Sequence, residues 1–196
     1  MENKQTEMVT VTTGREGRFR WAAVTAMLLA IGAILRLVSP SIAGVSPNWI
    51  IAMYCLAIVL FRPSFRRAMS IGLVAGALCL ATSKSVFPYG NLISEPVGAL
   101  VCACIVSLPV NMKAGRLDLR PALGTVGGTL ASGLTFTTLA KIILGLPLQV
   151  YLYGMLPVVL TVAAANTVIA QALYYPVAAL LGGRAGKSKE TEGIGQ

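Results

Sequence analysis

Apolar residues run through this chain in long blocks separated by short polar ones, and the blocks have helical rather than strand lengths. Six helices are predicted, over about 20–38, 49–61, 66–82, 95–111, 121–144 and 152–181. The segments between them, SPSIAGVSPN, FRPSF, KSVFPYGNLIS, MKAGRLDLR and GLPLQV, carry the proline, glycine and serine that punctuate loops. About 20 helical residues cross the hydrocarbon core of a bilayer, so the blocks read as membrane spans. The second is short for a crossing, which leaves a depression at one face.

Composition supports that reading. The 196 residues are 56% hydrophobic and only 12% charged, with a mean hydropathy of +0.76. The expected fold class is an all-α integral membrane protein, a bundle of six transmembrane helices. It has a cytoplasmic N-terminal segment, 1–19, a transmembrane domain, 20–182, and a basic cytoplasmic tail, 183–196, both ends flexible. No cleavable signal peptide is expected, because the first apolar run is too long for an h-region and no A-x-A-type site marks its end.

Charge sets the orientation. Lys4, Arg15, Arg18 and Arg20 precede the first span; Arg62, Arg66 and Arg67 lie in the second connection; Lys113, Arg116 and Arg120 in the fourth; Arg184, Lys187 and Lys189 in the tail. Basic residues mark the cytoplasmic side, so both termini are expected inside. The net charge of +9 is then a topology signal, and no nucleic-acid role follows from it.

The remaining charges stand apart. Arg36, Lys84 and Lys141 fall at the outer ends of helices one, three and five, and Glu95 at the outer start of helix four, within SKSVFPYGNLISEP at 83–96. Each has an ordinary explanation, since cations at helix C-termini and a carboxylate at an N-terminus complement the macrodipole, and long side chains snorkel. Their convergence has another. Helices two, four and six turn their positive N-termini to the same face, which would attract a carboxylate.

Chemistry is limited elsewhere. The chain has no histidine, the commonest metal ligand and general base, and neither a metal cluster nor paired catalytic carboxylates can be assembled. Cys55, Cys79, Cys102 and Cys104 all lie in apolar runs and read as packing residues. GGRAGKS at 182–188 lacks the first glycine of a phosphate loop, where Leu181 stands, and no strand precedes it. An enzyme, a metal site and a cofactor are therefore not expected.

Small residues recur at four-residue spacing: Ala22, Ala26 and Ala30 in helix one, Gly72 and Gly76 in helix three, and Gly124, Gly128 and Ser132 in helix five. Such stripes let helices approach closely, within the bundle or, for helix one, against a separate membrane partner. Helix six contains Pro157, Asn166, Gln171, Tyr174, Tyr175 and Pro176. Asn166 falls near mid-membrane, where an amide needs a partner: another helix or a substrate.

The succession AIGAILRLVSP (30–40), GVSPNW (44–49), FPYGNLISEPVGAL (87–100), TVGGTLASG (125–133), LGLP (144–147) and LPVVLTVAAANTVIAQALYYP (156–176) resembles the bacterial tryptophan transporter family. That family is similar in turn to the substrate-binding S-components of energy-coupling-factor (ECF) transporters, and the resemblance runs from about Ala22 to Leu181. It implies a six-helix protein that binds L-tryptophan in a pocket open to the outside, beneath the loops after helices one and three. It also implies a coupling subunit docked on Ala22, Ala26 and Ala30, completed by two ATPase subunits.

On this reading the substrate carboxylate meets Arg36, Lys84 or Lys141, and its ammonium meets Glu95 or carbonyl oxygens. Asn48 closes the first loop, and Asn91 and Asn166 offer hydrogen bonds to the indole or to the ligand backbone. Trp49, Phe87, Tyr89, Tyr151 and Tyr153 are available to stack on an indole or to form an interfacial belt. Lys84 and Glu95 read as the rim or gate of the pocket. Two other functions stay open: transport of another small solute, such as a vitamin or other amino acid, and a non-transporting membrane scaffold.

Overall fold

The computed structural model of the chain describes the backbone of residues 5–39, 48–114 and 117–190 and the side chains of 19–39, 48–114 and 117–181. Most of the first loop, and the side chains of Lys4, Arg15, Arg18, Arg116, Arg184, Lys187 and Lys189, lie outside the described residues. The described part contains six α-helices: α1 (Gln5–Val38), α2 (Trp49–Phe61), α3 (Phe65–Ala81), α4 (Asn91–Ser107), α5 (Arg120–Ile143) and α6 (Leu156–Glu190). A 3-10 turn at Pro88–Gly90 leads into α4 and a π-helical turn at Val150–Met155 into α6. Segments Phe19–Val38, Pro88–Ser107, Arg120–Ile143 and Val150–Leu181 are each long and apolar enough to cross a membrane. The expected six helices are present, and α1 and α6 extend into the terminal segments read as flexible.

The core is built around α2, whose residues Ile50 to Val59 are all buried. A helix apolar on every side belongs inside a bundle, and α2 contacts each of the other five helices. It is about 20 Å long at 1.5 Å per residue, shorter than a bilayer core of about 30 Å. Arg62 stops it in the left-handed conformation at φ 42° just before Pro63, which cannot continue a helix. At the other end of the bundle α5 stops at Gly145, φ 62°, with the Leu146 N–H on Lys141 O at 3.0 Å, a Schellman-type closure.

Glycines set the helix crossings that place the site. A Cβ on Gly72 would lie 2.6 Å from Pro96 Cα and 3.0 Å from the Glu95 carbonyl oxygen, and one on Gly76 would lie 2.7 Å from Asn91 O. Gly72 and Gly76 therefore bring α3 backbone to backbone with the start of α4. Across the other face of α4, a Cβ on Gly98 would meet Gly128 O at 2.8 Å, and one on Gly128 would meet Gly98 O at 3.0 Å. That second crossing lays α5 on α4 with Ser132 one turn beyond Gly128.

The connection after α4 departs from the all-helical expectation. Lys113–Ala114 and Leu117–Asp118 form a two-stranded antiparallel ladder, β1 with β2. Gln171 Nε2 donates to Asp118 O at 3.0 Å, Gln171 Oε1 accepts from Ala122 N–H at 3.1 Å, and Tyr175 oxygen accepts from Asp118 N–H at 2.8 Å. Two polar residues of α6 thus tie down the hairpin.

Candidate functional site

A cavity of about 570 Å³ opens where α1, α3 and α5 end and α2, α4 and α6 begin. It sits over the N-terminal end of the short α2, lined there by Asn48 and Ile51. One wall is polar: Arg36, Asn48, Ser83, Lys84, Asn91, Ser94 and Glu95. The rest of the lining comes from α5 and the π-turn and start of α6, and is largely apolar: Phe136, Met155, Val158, Val159 and Val162, with the hydroxyls of Thr129, Ser132 and Thr137 among them.

Glu95 is not at the start of α4 nor at the rim. The helix begins four residues earlier, at Asn91, because Pro88 opens the 3-10 turn that feeds it, and Pro96 lies inside the helix. Glu95 is 1% exposed. Burying a carboxylate is tolerable only where donors replace water, and three do so here. Asn48 Nδ2 donates to Oε1 at 3.2 Å, and the Tyr54 hydroxyl and Ser132 Oγ each donate to Oε2 at 3.1 Å. Arg36 reaches the carboxylate through an amide: its Nη1 donates to Asn48 Oδ1 at 2.9 Å while Asn48 Nδ2 faces Glu95. Because a guanidinium only donates and a carboxylate only accepts, this chain fixes which way the Asn48 amide points. The same Nη1 also lies 3.0 Å from Cys79 Sγ.

The other expected site residues divide by place. Arg36, Asn48, Lys84, Asn91 and Glu95 share the cavity, with Lys84 exposed at its mouth. Asn91 is buried and donates through Nδ2 to Pro88 O at 2.8 Å, closing the turn before α4. Phe87 is seated over Gly90 with its ring 6.2 Å from that of Phe136, so it supports the apolar wall from behind. Trp49 Nε1 donates to Ser39 Oγ at 2.8 Å, Tyr89 is 67% exposed, and Lys141 lies in the last turn of α5; none of these three lines the cavity. Asn166 is fully buried, with Nδ2 3.4 Å from Thr129 Oγ1, one turn of α6 beyond the cavity-lining Val162. On α1, Ala22 is half-buried while Ala26 and Ala30 are exposed.

Sequence reasoning missed Tyr54, Ser94, Thr129 and Ser132. Signals existed for three of them. Tyr54 carries the only hydroxyl in the apolar run WIIAMYCLAIVLF. Thr125, Thr129 and Ser132 follow one another at four and three residues, one face of a helix, and that periodicity was masked by the glycines beside it. Ser94, buried with an unpartnered Oγ, has no such mark.

Fold and cavity together define a multi-pass helical membrane protein with a part-polar, part-apolar cavity of small-solute size. The chain belongs to the tryptophan transporter family TrpP, whose profile matches residues 19–182. Among its relatives, a Bacillus subtilis (strain 168) protein named "Probable tryptophan transport protein" is 33% identical over 158 residues, covering 79% of this chain and 87% of the relative. A Clostridium perfringens (strain 13 / Type A) protein of the same name is 33% identical over 162 residues, covering 77% and 87%. No solved structure matches the chain. The family is one of transporters, not of enzymes.

Proposed function

We propose that this chain takes up L-tryptophan across the cell membrane through the cavity above α2, with all six helices as spans and both termini in the cytoplasm. The observation that carries the reading is the Glu95 carboxylate, buried on the cavity wall and held by Asn48, Tyr54 and Ser132. A fixed anion beside an apolar surface is what an amino acid with an aromatic side chain requires. Its ammonium meets Glu95; its carboxylate meets Arg36 and Lys84, which line the same cavity; its indole lies against Phe136, Met155 and Val159. A volume of about 570 Å³ falls inside the usual small-ligand range of roughly 300–1,000 Å³. Arg20 in α1, Arg62, Arg66 and Arg67 around the junction of α2 and α3, and Lys113 and Arg120 around the connection from α4 to α5 flank the opposite end of the bundle, which supports an outward-facing cavity.

The proposal extends to assembly. Residues 20–182 form the transmembrane domain, with 1–19 and 183–196 in the cytoplasm. The chain acts as an ECF S-component, its α1 face of Ala22, Ala26 and Ala30 docking a coupling subunit that works with two ATPase subunits. The exposure of Ala26 and Ala30 leaves that face open for a helix.

Equilibrium binding of radiolabelled tryptophan to the purified chain tests the site. Glu95→Gln should weaken binding about tenfold or more, the cost of losing a charge-assisted contact. An affinity within twofold of wild type would overturn it. Proteoliposomes holding the chain alone test the assembly: binding without uptake supports partner-driven transport, and uptake without partners overturns it.

A further inference from the structure

The cavity ends, between α5 and α6, in a polar pair that the recognition of a zwitterion does not use. Thr129 is the lining residue of α5 farthest from the mouth, and Asn166 stands behind it with Nδ2 3.4 Å from Thr129 Oγ1. Thr129 is 1% exposed and Asn166 fully buried. The neighbouring cavity wall, Val158, Val159 and Val162, is aliphatic.

Unpartnered polar atoms gather there. Asn166 Oδ1 has no hydrogen-bond partner, and neither has Thr125 Oγ1 one turn beyond Thr129 on the same face of α5. A hydroxyl oxygen has two lone pairs, so Thr129 Oγ1 retains one after accepting from Asn166. A buried lone pair in an otherwise aliphatic wall favours a ligand that brings a donor to it over one that brings none. Indole is such a group. A phenyl ring of similar apolarity brings no donor.

We propose that Thr129 accepts the indole N–H of the substrate and that Asn166 positions it, so that this pair selects an indole over other apolar rings. The inference rests on the cavity being the tryptophan site. The two parts of the ligand then meet different chemistry: Glu95, Arg36 and Lys84 take the amino-acid head, and Thr129 takes the one polar atom of the side chain.

The test compares tryptophan with 3-benzothienylalanine, in which sulfur replaces the indole N–H at nearly the same size, on the full chain in detergent. Wild type should favour tryptophan by about tenfold or more, as expected when a site built around a hydrogen bond meets a ligand lacking it. Thr129→Val should reduce the preference to within about twofold while leaving benzothienylalanine affinity near its wild-type value, and Thr129→Ser should keep the preference. Benzothienylalanine binding itself reports that the valine variant is folded. Equal affinities in wild type, or an undiminished preference in Thr129→Val, would overturn the assignment while tryptophan binding stood. Loss of tryptophan binding in wild type would remove both the assignment and the function it rests on.

Discussion

Replacing Tyr54 by phenylalanine deletes one oxygen from the most buried helix of the protein, and the geometry around it sets the cost. The hydroxyl has no exposure and donates to Glu95 Oε2, an oxygen it shares with Ser132. Phenylalanine keeps the ring and its contacts with α4, so what is lost is the hydrogen bond. A bond to a charged acceptor contributes about 1.5–3 kcal/mol, and a neutral one about 0.5–1.5 kcal/mol. Tyr54→Phe should therefore lower stability by about 2 kcal/mol when unfolding is followed by SDS titration in mixed micelles. The same substitution in a Glu95→Gln background should cost about 1 kcal/mol or less, because the acceptor is then a neutral amide. The double-mutant cycle should return a coupling of about 1 kcal/mol or more. A loss below about 0.5 kcal/mol, or equal losses in the two backgrounds, would refute the view that Tyr54 serves the Glu95 carboxylate.

Three further outcomes follow from other parts of the structure. Gly72→Ala places a Cβ 2.6 Å from Pro96 Cα, where only backbone can yield, so thermal unfolding should show a loss of about 1–3 kcal/mol; Gly154→Ala, with its nearest neighbour at 3.9 Å, should stay within about 0.5 kcal/mol of wild type. Lys84→Ala, at the exposed mouth of the cavity, should weaken tryptophan binding only a few-fold at low salt, and titrations at rising ionic strength should shrink the difference. Gln171→Ala removes both of that side chain's bonds to the segment around Asp118 and Ala122, so amide hydrogen exchange should quicken at Leu117 and Asp118 while tryptophan affinity holds.

The pattern of apolar blocks located the helices well because a bilayer-length apolar run has few alternatives: the predicted second helix, 49–61, matches α2, and the third differs from α3 by one residue at each end. The start of α4 was misplaced for an identifiable reason. Proline favours the first turn of a helix, and Pro88 and Pro96 both offer that signature within one segment. Local rules cannot choose between them. Tertiary contact does, since Gly72 and Gly76 on α3 accept the backbone of Pro96 and Asn91, which makes both residues part of one helix.

That four-residue displacement changes the chemistry assigned to Glu95. At a helix N-terminus its charge would be met by free N–H groups and water, and the side chain would belong to a solvated rim. One turn inside α4 those backbone donors are already used, and the carboxylate must be satisfied by side chains from elsewhere. The donors come from Asn48 before α2, Tyr54 within α2 and Ser132 on α5, none of which is near Glu95 in the chain. Legibility stops at that point. Hydropathy and caps are local properties, whereas a cradle assembled from three segments exists only after the glycine crossings of α3, α4 and α5 have fixed which faces meet. The exposed Lys84 was legible as a rim residue because its place depends only on lying just past the end of α3. Glu95 was legible as an unusual charge, but its position on the cavity wall is a consequence of packing.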